Sequence, residues 1–509
     1  MLLLFLATQG CALRPPAVPD AEPESQHPSE VLLFHTNDIH GHFLPEKAKW
    51  IEGMPAIGGF EAIDAIVNRA EKEWGDDRVL LLDGGDLSTG TPLSDLRVRG
   101  FQGGAMLEFI EALEYDAWVL GNHEFDKGFE NIQAMVAESV VPVLSSNLHA
   151  PAGGLALQGQ QSSTIVDADG IRVGLIGATT TGLGHLASRD TMAHIVIKDP
   201  IETVQAEIDR LDPLTDLLVV VSHIGLPADR ALAKGVDGLD VIIGGHSHTR
   251  MDSPEHVNGV YIVQAGSYGR SIGEARVRVE DDTVSLFEWR RHDLRLEGDL
   301  APSPAVAALV AKYRSEIETQ FGREIGNLSF PLERSRQGAS TLGNWITAQL
   351  RTATGADVAL YNAGGIRSDL AQGPITRGDV FEVFPFSNAV VKFEVTGVEL
   401  MGIVLDNINS NKDGNHGALQ CSGIALSWRE RMGSPEVVQL SVNGQPFSPE
   451  KTYTVATNSY VVAQAEKYLA GVAPKNSTPQ GMTVFELAVD AITQNRLSLD
   501  ARNPFERVD

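Results

Sequence analysis

Cysteine is scarce in this chain, with two residues in 509, Cys11 and Cys421. A disulfide framework is therefore excluded as the organising principle, and if Cys11 carries a lipid no intrachain disulfide can form. Cys421 sits in the apolar stretch 419–426 and reads as a buried packing residue rather than a nucleophile. Basic residues are also under-represented, 40 Lys and Arg against 67 Asp and Glu, for a formal net charge of −27. Such a field repels polyanions, which excludes nucleic acid polymers and anionic membrane surfaces as general partners. A small anionic substrate is not excluded, because a local cluster of metal ions and arginines outweighs the background charge within about 8–10 Å. Long hydrophobic runs, low-complexity tracts and internal repeats are missing as well. What remains is a globular composition, 43% hydrophobic and 21% charged, in a chain too long for one ordinary core. Two domains are expected.

The apolar run Leu2-Leu3-Leu4-Phe5-Leu6 is too short to span a bilayer, which takes about 20 residues, but fits the hydrophobic part of a secretory signal. Cys11, directly after Gly10, resembles the lipid-bearing cysteine of a lipobox. The stretch Pro15 to Pro28 reads as a flexible Pro/Glu-rich tether, so residues 1–30 are expected to be leader and tether. Export to the periplasm or cell envelope, with a possible lipid anchor at Cys11, follows as an expectation.

From Val31 to about Arg291, short apolar runs alternate with amphipathic stretches. The runs Val31–Phe34, Val79–Leu82, Ala117–Leu120, Ile171–Ile176, Leu217–Val221 and Val241–Ile243 suit strands buried on both faces. Phe60–Glu73 and Ala105–Leu113 suit helices covering them, which is α/β organisation. Ser303 and Pro304 look like an N-cap and first helical position. Apolar residues then recur at helical spacing until Phe321-Gly322. A linking helix is therefore expected over Pro304–Phe321, within residues 301–323, between a domain at 31–300 and a smaller α+β domain at 324–509.

Five apolar runs lead into metal-type ligands. They are followed by Asp38-Ile39-His40, Asp83-Gly84-Gly85-Asp86, Gly121-Asn122-His123-Glu124-Phe125-Asp126, Ser222-His223 and Gly244-Gly245-His246-Ser247-His248. Ligands at the carboxyl ends of strands in one sheet converge on one rim. A single Asp-x-His or His-x-His is usually structural, but five clusters in phase with five strands point to a site. Ligands of N and O type without thiolate suit Zn, Mn or Fe.

The order and spelling of these clusters resemble the calcineurin-like metallophosphoesterase superfamily, and the GNHEFD form resembles the 5′-nucleotidase and UDP-sugar hydrolase family. The resemblance implies a four-layer α/β/β/α sandwich with two divalent metal ions. It implies that Asp38, His40, His248 and Asp86 hold one ion, and that Asp86, bridging, holds the other with Asn122, His223 and His246. It also pairs His123 with Asp126, His123 stabilising phosphoryl charge while metal-activated water attacks phosphorus in line.

The second half carries Tyr361-Asn362-Ala363-Gly364-Gly365-Ile366-Arg367, Pro385-Phe386-Ser387-Asn388 and Arg336 upstream of Ser340-Thr341-Leu342-Gly343-Asn344. These resemble the C-terminal 5′-nucleotidase domain, which implies phosphate or other anionic contacts for Arg336 and Arg367 and base stacking for Phe386. The family's glycine-rich base-binding loop stands here as Gln464-Ala465-Glu466-Lys467-Tyr468; Tyr468 keeps the aromatic position while the glycines are replaced. The expected function is hydrolysis of nucleoside 5′-monophosphates or nucleotide sugars. The replaced loop leaves room for 2′,3′-cyclic nucleotides, a non-nucleotide phosphoester or a thiosulfate ester on the same metals. Capture of nucleotide or metal without turnover is the non-enzymatic alternative.

Overall fold

Along the strand Glu30–Thr36, alternate side chains serve different layers. Val31 and Leu33 pack in one buried cluster with Leu80, Leu82, Val119, Val173, Val219 and Val241, all on strands. Leu32 and Phe34 pack in another with Phe60, Ile63 and Phe109 from helices. The computed structural model describes residues 29–48, 51–152, 154, 157–187, 189–386, 388–413, 419–498 and 500–508. The leader, Cys11 and nearly all of the tether lie outside the described residues.

Two sheets face each other through the first of these clusters. One has seven strands in the order 160–161, 143–144, 117–119, 79–83, 30–36, 271–280 and 283–293. The other has six, in the order 163–168, 171–179, 217–223, 241–243, 260–263 and 255–257. Glu30–Thr36 pairs in parallel with Val79–Asp83, as Leu217–His223 does with Val241–Ile243. Helices Phe60–Trp74 and Gly104–Ala112 cover the outer face of the first sheet, and Pro200–Leu211 and Leu226–Gly235 that of the second. The result is the four-layer α/β/β/α sandwich. Because the central strands run in parallel, their carboxyl ends open on one rim.

The helix Pro304–Phe321 forms as its sequence implies. The Ser303 hydroxyl accepts from the Val306 amide, and Pro304 occupies the first turn. Val306, Val310 and Tyr313 join the helical cluster of the first sheet, so the helix is fastened to the sandwich. Beyond it, a five-stranded sheet in the order 419–422, 358–362, 452–458, 389–396 and 475–483 is covered on both faces. Tyr361 and Ala456 pack with Trp345 and Leu350 of the helix Thr341–Thr354, while Val358 and Val455 pack with Leu400 and Trp428. Cys421 is buried in this second cluster, as its apolar surroundings suggest.

Candidate metal centre and substrate cleft

The rim residues sit in strained backbone. Asp38, His40, Asp86, His246 and His248 all have positive φ, between 52° and 72°. Non-glycine residues avoid that region at a cost of about 1–3 kcal/mol each, so the surrounding packing must enforce it. Part of that enforcement is visible. The Asp38 and His40 amides donate to the Gly85 and Asp86 carbonyls, and the His246 amide donates to the Asp38 carboxylate at 3.0–3.1 Å. Gly85 lies so close to His223 and Gly121 that an added Cβ would stand 2.8–2.9 Å from them.

The side chains converge. Ligand atoms of Asp38, His40 and His248 form one group within 4.8 Å, and those of Asp86, His223 and His246 form another. Asp86 connects them, with its Oδ2 3.1 Å from His223 Nε2 and 3.8 Å from His40 Nε2. His40 Nε2 and His248 Nε2 approach to 3.2 Å. His40 Nδ1 is anchored on the Thr89 carbonyl at 2.8 Å and His223 Nδ1 on the Gly84 carbonyl at 2.6 Å. A ring that donates from Nδ1 presents its Nε2 lone pair inward, which is the arrangement of a metal-ligating histidine. Asn122 Oδ1 is buried without a hydrogen-bond partner, and His223 Nε2 makes no hydrogen bond although Asp86 is near. Buried acceptors are rarely left so, and divalent cations satisfy them together with the strained carboxylates. The donor set therefore fits divalent metal.

The electrostatics divide the ligands. Burial alone would favour the neutral acid, but His223 and His123 hold the Asp86 carboxyl well below the usual carboxylate range. Burial pushes His40 well down and His246 down to about 4, leaving neutral imidazoles of the kind a metal requires, whereas against burial the Asp86 carboxylate raises His223 to about 10, so that ring has to give up its Nε2 proton to bind a metal. His123 stands beside the cluster, its Nε2 4.0 Å from Asp86 Oδ2 and its Nδ1 2.7 Å from Asp126 Oδ2. Burial opposes its cationic form, yet Asp126 and Asp86 together raise its pKa. Asp126 is not the N-cap of the following helix; Gly128 holds that position.

Residues of the second half close over this rim. Arg336, Arg367, Phe386 and Tyr468 line the same cavity, of about 790 Å³, as Asp86, Asn122, His123, Asp126, His246 and His248. The Phe386 ring lies 5.9 Å from that of His123, and the Arg367 guanidinium lies 5.9 Å from the Phe386 centroid. Burial lowers the Arg336 pKa, with Arg367 and Arg334 adding to the effect, as in a cationic patch awaiting an anion. Tyr468 differs in posture from an open stacking platform. It is 7% exposed, its ring is packed beside that of Tyr460 at 6.0 Å, and Lys467 Nζ lies 5.3 Å from its centroid. With no glycine in it, Ala465–Tyr468 is a short helix joined through Gln464 to the helix Ser459–Ala463.

Sequence reasoning passed over Glu124, Tyr268 and Tyr460. Glu124 is buried beneath Asp86 and accepts from the amides of Asp86, Ser88 and Gly121 at 3.2, 3.0 and 2.9 Å. Its position inside Gly121–Asp126 was the available signal. Tyr268 has φ of 63° and edges His248 at 5.3 Å; it follows the strand Val260–Val263 and Gly266, a sixth strand end of the same type. Tyr460 carried no signal beyond its nearness to the loop 464–468.

A family model described as calcineurin-like phosphoesterase matches residues 32–250, and one described as 5′-nucleotidase, C-terminal domain matches residues 319–471. The chain is 27% identical over 518 residues to a 5′-nucleotidase of Vibrio vulnificus (strain CMCP6), covering 91% of this chain and 90% of that protein. It is 27% identical over 516 residues to the trifunctional nucleotide phosphoesterase protein YfkN of Bacillus subtilis (strain 168), covering 91% of this chain. The chain spans 34% of that longer protein. The crystal structure of a 5′-nucleotidase precursor from Thermus thermophilus superposes with a TM-score of 0.82 at 26% identity, covering 94% of this chain and 99% of that one.

Proposed function

From the premise that the chain belongs to the 5′-nucleotidase family of calcineurin-like phosphoesterases and is a phosphoric ester hydrolase, we propose that it releases phosphate from nucleoside 5′-monophosphates or nucleotide sugars. The observation that carries this reading is one cavity lined both by the ligand cluster and by Arg336, Arg367 and Phe386. Asp38, His40, His248 and Asp86 would hold one divalent ion, and Asp86, Asn122, His223 and His246 the other. When bound, the ions supply Lewis-acid polarisation of the phosphoryl group and a water acidic enough to be a nucleophile near neutral pH.

The chain's own residues do the rest. Asp126 fixes the His123 ring through Nδ1, leaving Nε2 directed at the rim to donate to a phosphoryl oxygen as charge builds there. Arg367 and Arg336 bring a fixed, always-charged donor geometry to the anion. Phe386, between His123 and Arg367, offers the apolar face for the organic part of the ester. In this reading residues 31–300 perform the hydrolysis, residues 324–509 choose the substrate, and the helix Pro304–Phe321 joins them. Export with a lipid at Cys11 belongs to the same reading, supported by the apolar run 2–6. No helix among the described residues is long and apolar enough to cross a membrane.

The test is phosphate release by the chain from Pro28 onward, with Mn²⁺, Zn²⁺ or chelator. The panel is AMP, UDP-glucose, 2′,3′-cyclic AMP and p-nitrophenyl phosphate, with a coupled phosphatase where a diester product keeps its phosphate. Metal-dependent turnover strongest on AMP or UDP-glucose is expected. Turnover confined to the other esters would keep the chemistry and discard the nucleotide assignment.

A further inference from the structure

Three cations face the cleft without a carboxylate partner. Arg336, Arg367 and Lys467 line it, and none of the ion pairs among the described residues includes them. Lys127, by contrast, is tied to Asp95 at 2.5 Å. Arg336 and Arg367 act on one another and Arg367 acts on His40, which puts this pair beside the metal cluster. Lys467 stands apart from them. It belongs to the short helix Ala465–Tyr468, on the side of the cleft built from the second half, and its ammonium lies over the Tyr468 ring. Burial alone lowers its pKa, with no neighbouring charge contributing.

A partly desolvated ammonium with no anion is an unfavourable arrangement that a bound anion relieves. Its placement also changes what Tyr468 can do. The approach to the Tyr468 ring is occupied by Lys467, and the tyrosine itself is nearly buried beside Tyr460. A group arriving there meets a positive charge beside a nearly buried ring. Recognition there is by charge more than by stacking.

We infer that Lys467 reads a second anionic group, phosphate or carboxylate, on the alcohol portion of the phosphoester, so that doubly anionic substrates are preferred over their singly substituted counterparts. This rests on the nucleotide reading given above. One anionic group is engaged by Arg336, Arg367 and the metal cluster, and the other, carried on the sugar or the base, is engaged by Lys467, which lines the same cleft. Lys467 is thus a specificity-determining residue, with its effect on KM rather than on the chemical step.

Two matched substrate pairs test this, each differing by one anion. Adenosine 3′,5′-bisphosphate against AMP places the extra phosphate on the ribose; orotidine 5′-monophosphate against UMP places a carboxylate on the base. The Mn²⁺-loaded full chain is expected to favour the anion-bearing member of at least one pair at least tenfold in kcat/KM for loss of the 5′-phosphate. The pair that responds tells whether phosphate or carboxylate is read. In Lys467→Met the ratio should fall to near one, and in Lys467→Arg it should be largely kept. Because each ratio is taken within one variant, a general loss of folded protein does not alter it. Ratios near one in both pairs for the native chain, or a ratio unchanged in Lys467→Met, would overturn the inference. Inhibition of p-nitrophenyl phosphate hydrolysis by the same four compounds reads the same ratios without requiring their turnover. Nucleotides that inhibit but are not hydrolysed would therefore sink the nucleotidase reading, while their inhibition ratios still decide the role of Lys467.

Discussion

Replacing Glu124 with alanine should weaken both the fold and the reaction, although Glu124 touches neither metal ligand atoms nor substrate. Its carboxylate accepts from three backbone amides, those of Asp86, Ser88 and Gly121, which belong to two different strand-end loops. Removing the side chain leaves these buried donors unpaired. Each unpaired buried amide costs roughly 1–3 kcal/mol, so with partial relaxation the loss is about 3–5 kcal/mol. At about 2–4 °C per kcal/mol for a unit of this size, the unfolding midpoint should fall by about 6–20 °C. The catalytic effect follows from the same bonds. Asp86 holds a positive-φ conformation and the His123 amide donates to its Oδ1 at 2.8 Å, so loosening the loop displaces the shared carboxylate and His123 together. A misplacement of about 1 Å costs on the order of a hundredfold in rate.

Glu124→Gln supplies the internal control. One amide oxygen can still serve the Asp86 and Gly121 donors that share Oε2, so only the Ser88 amide loses its acceptor. Gln should therefore recover most of the midpoint and most of kcat, with KM little altered in either variant. Thermal unfolding of the metal-free chain, with kcat and KM at saturating Mn²⁺, measures both effects. A midpoint within about 3 °C of the native chain together with kcat within threefold for Glu124→Ala would refute the reasoning, since three orphaned amides could not then have been created.

His123→Ala should lower kcat by about 10²–10³-fold, the size of losing one transition-state donor, while bound metal measured by mass spectrometry stays at the native level. Asp126→Asn, which leaves a neutral partner 2.7 Å from His123 Nδ1, should cost less than that, and the rank order is read from the same rates. Arg367→Ala should cost about 2–4 kcal/mol in kcat/KM, the penalty for removing a desolvated charged contact, and Arg367→Lys should restore only part of it. Burial pushes the Asp229 carboxyl up to about 7, the Ser222 hydrogen bond only partly opposing it. A carboxyl raised in the folded state contributes its stability at low pH and loses it as pH climbs from the unfolded value toward 7. Between pH 5 and 8 the native chain should thus lose about 2–3 kcal/mol that Asp229→Asn does not, checked by urea unfolding at both pH values.

The α/β organisation was legible in the sequence because its central strands are short continuous apolar runs, whereas the four-layer stacking was implied only by the family resemblance of the clusters that follow five of them. Val31–Phe34, Val79–Leu82, Leu217–Val221 and Val241–Ile243 all lie in strands. Strand Ser271–Glu280 escaped notice because it alternates, burying Ala275 and Val277 between half-exposed Glu274, Arg276 and Arg278, next to the edge strand Thr283–Asp293. The linking helix was legible to the residue, since a serine cap and a proline marked its start and a glycine its end.

The site divides in the same physical way. Metal ligation demands particular donor atoms at strand ends, so the five ligand clusters announce themselves by residue type and position, while the proposed choice of Asp38, His40, Asp86, Asn122, His223, His246 and His248 within them comes from the resemblance. Substrate choice demands only a surface of suitable shape and charge, which many sequences supply. The loop 464–468 shows the consequence. Tyr468 stands where the family resemblance puts an aromatic, yet here it lies in a short helix, nearly buried, with Lys467 over its ring. A family motif therefore carries the hydrolysis in this chain further than it carries the specificity.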